Sequence, residues 1–174
     1  ICKFNALQAD DKLNIINNLK AINSLEFDFI QETERGKEIG ICFLSFPKKL
    51  RCIYDNNKNT ILIVNNNNLI IYHERYKKIY YYPIKNSIFV KVLDKKELVN
   101  LIKISDLSYS KEYIYLTEIN NEKNRAKIIF DKINFNLIGW EIYDQLNKKT
   151  SFLIKIKTIN EQISSKQFLL PSLN

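Results

Sequence analysis

The side chains that could carry out acid–base or nucleophilic chemistry are few and scattered in this sequence. His73 is the single histidine, and it lies beside Glu74 and Arg75 near the predicted end of a strand. General acid–base catalysis needs a partner that orients the imidazole, and the sequence pattern offers none. The sequence also has no G-x-S-x-G motif, no P-loop and no paired-carboxylate motif. We therefore predict a protein that is not an enzyme and that has no catalytic residues.

The cysteines are the other candidates for chemistry. Cys42 and Cys52 have neither C-x-x-C spacing nor a second histidine to join them, so we predict no metal and no cofactor. The two cysteines fall opposite one another across a short predicted hairpin. Two interpretations stay open there: a disulfide, or two small thiols packed in an apolar wall. Asp131 and Asp144 each end a predicted strand, where Asp usually serves a turn.

The 174-residue chain has a formal net charge of +8, which has two explanations. It reflects the Lys-rich, Asn-rich composition of an AT-rich genome, or it attracts acidic partners or an anionic membrane surface. Lys77, Lys78 and residues 80–82 mix basic and aromatic side chains, as nucleic-acid surfaces do. No RNA-binding motif accompanies them, and a solvated strand face is the simpler interpretation. We expect no nucleic-acid partner.

The length and the ends of the chain set further bounds. The length suits one domain over residues 1–174. No run of about 18 apolar residues occurs, so the sequence predicts no membrane-spanning helix. The first residue is Ile1, which indicates either a removed leader or a fragment.

Two helical segments interrupt a chain that otherwise has the period of strands. Leu13, Ile16 and Leu19 recur at helical spacing between Asp10 and Ile22, and residues 89–104 return to that spacing. About ten antiparallel strands in sequence form a sheet that must curl or close. The sequence predicts these strands at 25–29, 40–46, 50–55, 60–64, 69–73, 78–84, 113–119, 126–131, 137–144 and 151–159.

Alternation along the strands selects one apolar face. On 50–55, the charged Arg51 and Asp55 share one side, so the other side should look inward. Such a face either fills an ordinary core or lines a cavity for a ligand. The residues predicted to face inward are Leu25, Phe27, Phe29, Cys42, Leu44, Phe46, Leu50, Cys52, Tyr54, Ile128, Phe130, Trp140, Ile142, Phe152 and Ile154.

The segment PKKLRCIYD at 47–55 resembles the LolA-type outer-membrane lipoprotein carriers, which show a Pro-x-x-hydrophobic-Arg-aromatic-x-Tyr-Asp run there. SLEFDFIQ at 24–31 is similar to the opening strand of that family, and Gly40 stands at its strand-opening glycine. ILIVNNNNLIIYHERYKKIYYYPI at 61–84 and IIFDKINFNLIGWEIYDQLNKKTSFLIKI at 128–156 resemble two further blocks in the same order. Together the blocks cover nearly the whole chain.

The resemblance implies a mainly β fold, a single half-open antiparallel barrel of about 10–11 strands with an N-terminal helix and an inserted lid helix. It implies a hydrophobic cavity for acyl chains, lined by the inward-facing residues above. It makes Ile88, Phe89, Val92 and Leu98 the expected lid residues. Many family members have an Arg before the Pro that is thought to hold the lid shut. Phe46 stands there in this chain, so the resemblance does not identify the residues that hold the lid shut.

The function implied by the resemblance is a periplasmic carrier of a Gram-negative bacterium, which binds the acyl chains of lipoproteins and delivers them from the inner to the outer membrane. The expected partners are acylated lipoproteins, the inner-membrane lipoprotein-releasing ABC transporter complex and an outer-membrane acceptor lipoprotein, and the carrier is expected to be a monomer. A carrier or sensor of another lipid or glycolipid is the alternative on the same fold. A basic polyanion-binding domain and an unrecognised hydrolase are the alternatives from other classes.

Overall fold

An antiparallel sheet of eleven strands forms the frame of the protein. The computed structural model describes residues 2–84, 88–119 and 125–170, with side chains described from Gln8 in the first helix and from Val90 in the second. The strands are β1 (Ser24–Thr33), β2 (Gly36–Ser45), β3 (Lys49–Tyr54), β4 (Thr60–Asn65), β5 (Asn68–His73), β6 (Lys78–Pro83), β7 (Leu107–Tyr109), β8 (Tyr113–Ile119), β9 (Arg125–Asp131), β10 (Leu137–Tyr143) and β11 (Lys149–Ile159).

The strand order shows that the sheet is open. The order is β6-β5-β4-β3-β2-β1-β11-β10-β9-β8-β7, so that β1 beside β11 joins two meanders. Within the described residues β6 and β7 are the two edges, and they do not pair with one another. The predicted fold, a mainly β half-open arrangement with an N-terminal helix and an inserted helical segment, is confirmed.

Three helices pack on one face of the sheet, which we call the inner face. They are α1 (Cys2–Ala21), α2 (Ile88–Val92) and α3 (Lys95–Ile104). The opposite side is called the outer face. A 3₁₀ turn (Glu74–Tyr76) joins β5 to β6, and a 3₁₀ helix (Ser165–Phe168) follows β11.

The boundaries of the helices differ from the sequence prediction. Helix α1 begins at Cys2 rather than at Asp10, because Ala, Leu, Lys and Gln favour a helix even without an apolar stripe. The inserted segment was predicted as one helix over 89–104, but it is divided at Asp94. The Asp94 carboxylate accepts hydrogen bonds from the backbone N–H groups of Lys96 and Glu97, and it thereby caps the start of α3.

The strands agree more closely with the prediction. The strand that the sequence did not predict is β7, whose three residues are too few to show an alternating pattern. The Asn-rich connection between β4 and β5 is a tight turn in which Asn66 takes a positive φ of 58°. Asn tolerates this conformation better than most residues do, and this property was the reason for predicting a turn in the Asn run.

Candidate functional site

The inner face of the sheet carries the apolar side chains that the sequence selected. Alternation places them in one cluster with the helices, and all of them except Phe46 and Ile142 are buried. Those two are partly buried and pack against the same cluster. Cross-strand register supports this assignment, since Leu44 pairs with Leu50 and Phe152 pairs with Trp140. The face therefore presents a continuous apolar surface from β3 across the centre of the sheet to β9.

Aromatic rings form a row across this surface. The ring of Phe152 stacks on Trp140 at a centroid distance of 4.7 Å and on Phe29 at 4.8 Å. Phe29 also meets Tyr54 edge to face, again at 4.8 Å. Gly40 lies on β2 between Phe29 and Tyr54, and a Cβ there would overlap the Ile53 carbonyl oxygen and come within 2.7 Å of the Phe29 ring. A glycine is therefore required for the ring of Phe29 to cross β2.

The aromatic row has one polar end. The Tyr54 hydroxyl donates a hydrogen bond of 2.7 Å to the Gln31 Oε1 atom. Burial raises the pKa of Tyr54 above its ordinary value of 10.0, and the negative charge of Glu38 acts in the same direction. The phenol is thus a neutral hydrogen-bond donor at physiological pH. Gln31 continues the inward alternation of β1, although the sequence analysis did not select it.

The helices fill the space above the inner face with apolar side chains of their own. Val92 and Leu98, two of the predicted lid residues, are buried there. The side chains of the other two, Ile88 and Phe89, lie outside the described part of the chain. The helical segments also bury Ile15, Ile16, Leu19, Ile22, Val90, Leu93, Val99, Leu101 and Ile102 in the same cluster.

Polar bonds to Lys48, in the turn between β2 and β3, attach the α2–α3 junction to the sheet. The Lys48 backbone N–H donates to the Leu93 carbonyl at 2.8 Å. The Lys48 ammonium lies 3.0 Å from the Asp94 carboxylate. Burial opposes ionisation of Asp94, but hydrogen bonds from Lys48, Glu97 and Lys96 outweigh it, so that the pKa of Asp94 lies below its ordinary value. We call Lys48 and Asp94 the latch pair.

Further polar contacts tie the described parts of the helices to their surroundings. Lys91 of α2 forms an ion pair with Glu118 of β8. Lys95 of α3 donates to the Lys20 carbonyl at 3.3 Å, and Lys12 of α1 donates to the Lys103 carbonyl at 3.3 Å. The last two bonds join α1 to α3. The contact between the helices and the inner face is mostly apolar, and the ion pairs with Lys48 and Glu118 lie at its margins.

Cys42 and Cys52 are joined by a disulfide in the structure. They pair directly across β2 and β3, as the sequence predicted, and both are buried on the inner face. The alternative of two free thiols is thereby set aside. The disulfide ties together two central strands of the apolar surface.

The side chains considered for acid–base chemistry, those of His73, Asp131 and Asp144, take part in hydrogen bonds near the ends of their own strands. His73 Nδ1 lies 2.9 Å from the Thr60 hydroxyl, and burial and the positive charges of Lys58 and Lys78 lower its pKa, with Glu38 opposing them. Asp131 and Asp144 accept hydrogen bonds from backbone N–H groups in their own turns, as predicted. In the part of the chain that the structure describes, no group of three or more His, Cys, Asp or Glu side chains could hold a metal ion.

The helices can also be judged against the dimensions of a bilayer. Of those in the described ranges, none combines the length and the apolar character that a membrane-spanning helix needs.

Some residues of the site carry no signal in the sequence. The latch pair joins positions 48 and 94, which are far apart in the chain, and neither lies in an apolar pattern. Only the Asp94 cap had a local signal, an Asp followed by Glu97 three residues later. Val64 and Leu62 of β4 extend the inner surface, and their strand was predicted but its inward side was not assigned.

Solved structures with the same fold come from distant proteins. An uncharacterised conserved protein from Thermus thermophilus is 7% identical, with 94% of each chain covered and a TM-score of 0.54. MucB, also solved with MucA from Pseudomonas aeruginosa, is 11% identical, with 94% of this chain covered and a TM-score of 0.54. This chain spans 63% of that MucB chain. Lipoprotein LppX from Mycobacterium tuberculosis is 10% identical, with 91% of this chain and 97% of its own covered and a TM-score of 0.51.

These likenesses concern the fold alone, and no curated protein sequence gives a significant match. The family comparison is more informative. The family described as outer membrane lipoprotein carrier protein LolA matches residues 20–170, which include every described strand of the sheet. The inner apolar face lies within the matched region, as do α2 and α3 of its helical cover. On this match the chain belongs to the LolA family of outer membrane lipoprotein carrier proteins.

Proposed function

We propose that this protein is a periplasmic carrier that holds the acyl chains of lipoproteins against the inner face of its sheet and delivers them from the inner to the outer membrane. The observation that carries the proposal is the inner face itself. It is a continuous apolar surface in a member of the LolA family, and its helical cover is joined to the sheet by polar bonds at its margins.

The energy of acyl hydration explains why a lipoprotein needs such a carrier. Exposing one CH₂ group to water costs about 0.8 kcal/mol, so three acyl chains with roughly 45 CH₂ groups cost on the order of 30 kcal/mol. The rate at which a lipoprotein would cross an aqueous compartment unaided is therefore negligible. A surface the size of the inner face can shield those chains only if its present cover moves away.

The helical cover is proposed to exchange places with the cargo. In the structure, Val92 and Leu98 occupy the inner face with the same kind of apolar contact that an acyl chain would make. Since both states bury apolar surface, the free-energy difference between them is small compared with either burial. Uptake and release can then be driven by a partner that favours one of the two states.

The aromatic row is proposed to be the wall along which the acyl chains lie. Trp140, Phe152 and Phe29 present flat apolar ring faces to one another across the strands. Such a wall accepts chains of different length and in different register. The Tyr54–Gln31 hydrogen bond marks the polar end of the row, where an ester or amide group of the cargo would find a hydrogen-bond partner.

The proposed partners follow from carriage. They are acylated lipoproteins, an inner-membrane lipoprotein-releasing ABC transporter complex and an outer-membrane acceptor lipoprotein, with the carrier working as a monomer and without catalysis. The Cys42–Cys52 disulfide supports a periplasmic location, because disulfides persist in oxidising compartments.

Native mass spectrometry of the protein purified from a Gram-negative periplasm tests the proposal. We expect adducts that fragment to acylated peptides. Ile142→Glu places a charge at the inner face, and Ile41→Glu places the same charge on the outer side of β2 as a matched control. The first variant should lose the acylated adduct and the second should keep it. Phospholipid or glycolipid adducts without peptide would contradict the lipoprotein cargo and favour the carriage of another lipid.

A further inference from the structure

A lysine-rich groove opens where the end of α1, the start of α3 and the β2–β3 turn meet. It has a volume of about 690 Å³. Its floor is apolar and includes Phe46, Pro47 and Val99. Val99 belongs to the buried cluster on the inner face and Phe46 packs against that cluster, so the groove is an outward continuation of the apolar surface under the helices.

The walls of the groove carry an excess of positive charge. Lys20, Lys95, Lys96 and Lys103 line it, and Asp94 is the one carboxylate among its described lining residues. That carboxylate is already paired with Lys48 at 3.0 Å. The four lysines therefore face the groove without a further carboxylate, among the described lining residues, that could neutralise them from within it.

One of these lysines is held at the junction of wall and floor. The Lys95 ammonium lies 5.3 Å from the centroid of the Phe46 ring. It donates to the Lys20 carbonyl and to the Asn23 Oδ1 atom, each at 3.3 Å. Its charge is thus positioned over the apolar floor, while the exposed Lys96 and Lys103 extend the positive wall along α3.

We propose that this groove binds one anionic phospholipid, with the headgroup phosphate against the lysines and the start of an acyl chain on the floor. Charge complementarity selects an anion, and the apolar floor selects an amphiphile over a free ion. Lysine ammonium groups are flexible point charges that suit a mobile phosphate. The groove is the size of a small-molecule site, whereas a nucleic acid or an acidic protein would need a longer stripe of charge.

Phospholipid binding at the groove is distinct from lipoprotein carriage, and the two can fail separately. Carriage concerns acyl chains beneath the helices, whereas the groove concerns a headgroup outside them. A phospholipid bound there would orient the protein with its helices toward an anionic membrane surface. The attraction would weaken as the ionic strength rises, because exposed charges are screened.

Isothermal titration calorimetry with monomeric short-chain phosphatidylglycerol, and with phosphatidylcholine of the same chain length, tests the proposal. We expect the affinity for phosphatidylglycerol at low salt to be at least about tenfold higher than the affinity for phosphatidylcholine. The double variant Lys96→Glu/Lys103→Glu should abolish that preference. Lys37→Glu/Lys155→Glu makes the same change in net charge away from the groove, on the β1–β2 turn side and on β11, and should preserve it.

Three results would overturn the proposal. The first is equal affinity for the two phospholipids, and the second is an equal loss of affinity in both double variants. The third is binding of glycerol phosphate or of a polyglutamate peptide as tightly as phosphatidylglycerol, which would assign the groove to free phosphate or to acidic protein. An acyl probe that binds the inner face should bind the Lys96→Glu/Lys103→Glu variant with unchanged affinity. Refutation of phospholipid binding at the groove would therefore not refute lipoprotein carriage on the inner face.

Discussion

Both faces of the sheet bury apolar side chains, but over areas of different size and under different kinds of layer. On the inner face, three helices cover a large apolar surface that runs across most of the strands. On the outer face, Ile61, Ile63 and Tyr72 form a small separate cluster on β4 and β5. The 3₁₀ helix Ser165–Phe168 lies against β3 and β4 on that side and buries Phe168.

The attachment of the two layers differs as well. The outer segment, the 3₁₀ helix Ser165–Phe168, is the next element after β11 in the chain. Arg51 Nη1 of β3 donates to the Gln167 carbonyl at 3.1 Å and to the Leu169 carbonyl at 3.4 Å. The inner helices are fixed by the latch pair and by bonds at their margins. We infer that the outer layer serves stability and the inner layer serves exchange.

The strongest test of this contrast replaces one buried phenylalanine on each face. Phe29→Ala should destabilise the protein by about 3–5 kcal/mol, because it removes a buried ring that contacts two other aromatic rings. Phe168→Ala removes an equally buried ring beneath the outer segment. Chemical denaturation measures both losses, and titration with a fluorescent acyl probe measures binding.

Only Phe29→Ala should change acyl affinity, in conditions where both variants remain folded. If Phe168→Ala weakened acyl binding as much as Phe29→Ala did, the two layers would not have separate roles.

Reduction of the disulfide should have the next largest effect. The bond closes a loop with a sequence separation of 10, and a loop of that size contributes about 2–3 kcal/mol through the entropy of the unfolded chain. Denaturation with and without reductant should show this difference, while acyl affinity of the folded protein changes little.

Thiol titration of the unfolded, unreduced protein is the accompanying control. One reactive thiol, from Cys2, is the expected result. Three reactive thiols would contradict the bond between Cys42 and Cys52.

Loosening the latch pair should produce a smaller effect that is specific to the inner layer. Lys48→Gln removes the charge but keeps the backbone N–H that bonds to Leu93. A charge-assisted hydrogen bond of this kind contributes about 1.4 kcal/mol, which corresponds to about a tenfold change in the equilibrium between the closed and the open positions of the helices. Stopped-flow mixing with the acyl probe should therefore show uptake about tenfold faster than in the unaltered protein.

Lys49→Gln is the matched control for the latch variant, because Lys49 is a neighbouring lysine on the alternate side of β3. Its uptake rate should stay unchanged. An identical acceleration in both variants would mean that net charge, and not the latch pair, controls uptake.

The smallest expected effect is the pH dependence of the latch pair. The pKa of Asp94 is lowered in the folded protein from its ordinary value of 3.8. A lowered folded-state pKa gives a contribution that is complete above the ordinary value and is lost as the pH falls through the lowered one. Acyl uptake should therefore be independent of the Asp94 carboxylate between neutral pH and about pH 5, and it should accelerate only below about pH 4.

Lys48→Gln should lack this acid acceleration, since its latch has already lost the ammonium that Asp94 pairs with. A latch-dependent acceleration near pH 6 would contradict the assignment of the effect to Asp94.

Local alternation made much of the inner face predictable from the sequence. Side chains alternate between the two faces of a strand, so the charged Arg51 and Asp55 identify the outer side of β3. Leu50, Cys52 and Tyr54 could therefore be assigned to the inner side. Hairpin register then placed Cys42 opposite Cys52. These features depend on neighbours in the chain or on a strand joined by a short turn.

Features that depend on distant residues were not predictable in this way. The latch pair joins a turn of the sheet to a helix junction, and no short-range pattern links Lys48 to Asp94. The contact of the Ser165–Phe168 helix with the outer face was missed for the same reason, because this helix meets β3 and β4, which lie 100 or more residues earlier in the chain. Division of the inserted helix was a local feature, but the apolar spacing on both sides of Asp94 concealed it.

Occupation of the inner face by acyl chains beneath the helices can be followed through the fluorescence of Trp140. Trp140 is the single tryptophan, and it is buried within the aromatic row. Titration with a synthetic lipopeptide brominated along its acyl chain should quench this fluorescence in a saturable manner, because bromine quenches only at short range. The non-brominated lipopeptide should compete with it and restore the emission. Binding of the brominated lipopeptide without quenching of Trp140 would place the acyl chains elsewhere and contradict carriage on the inner face.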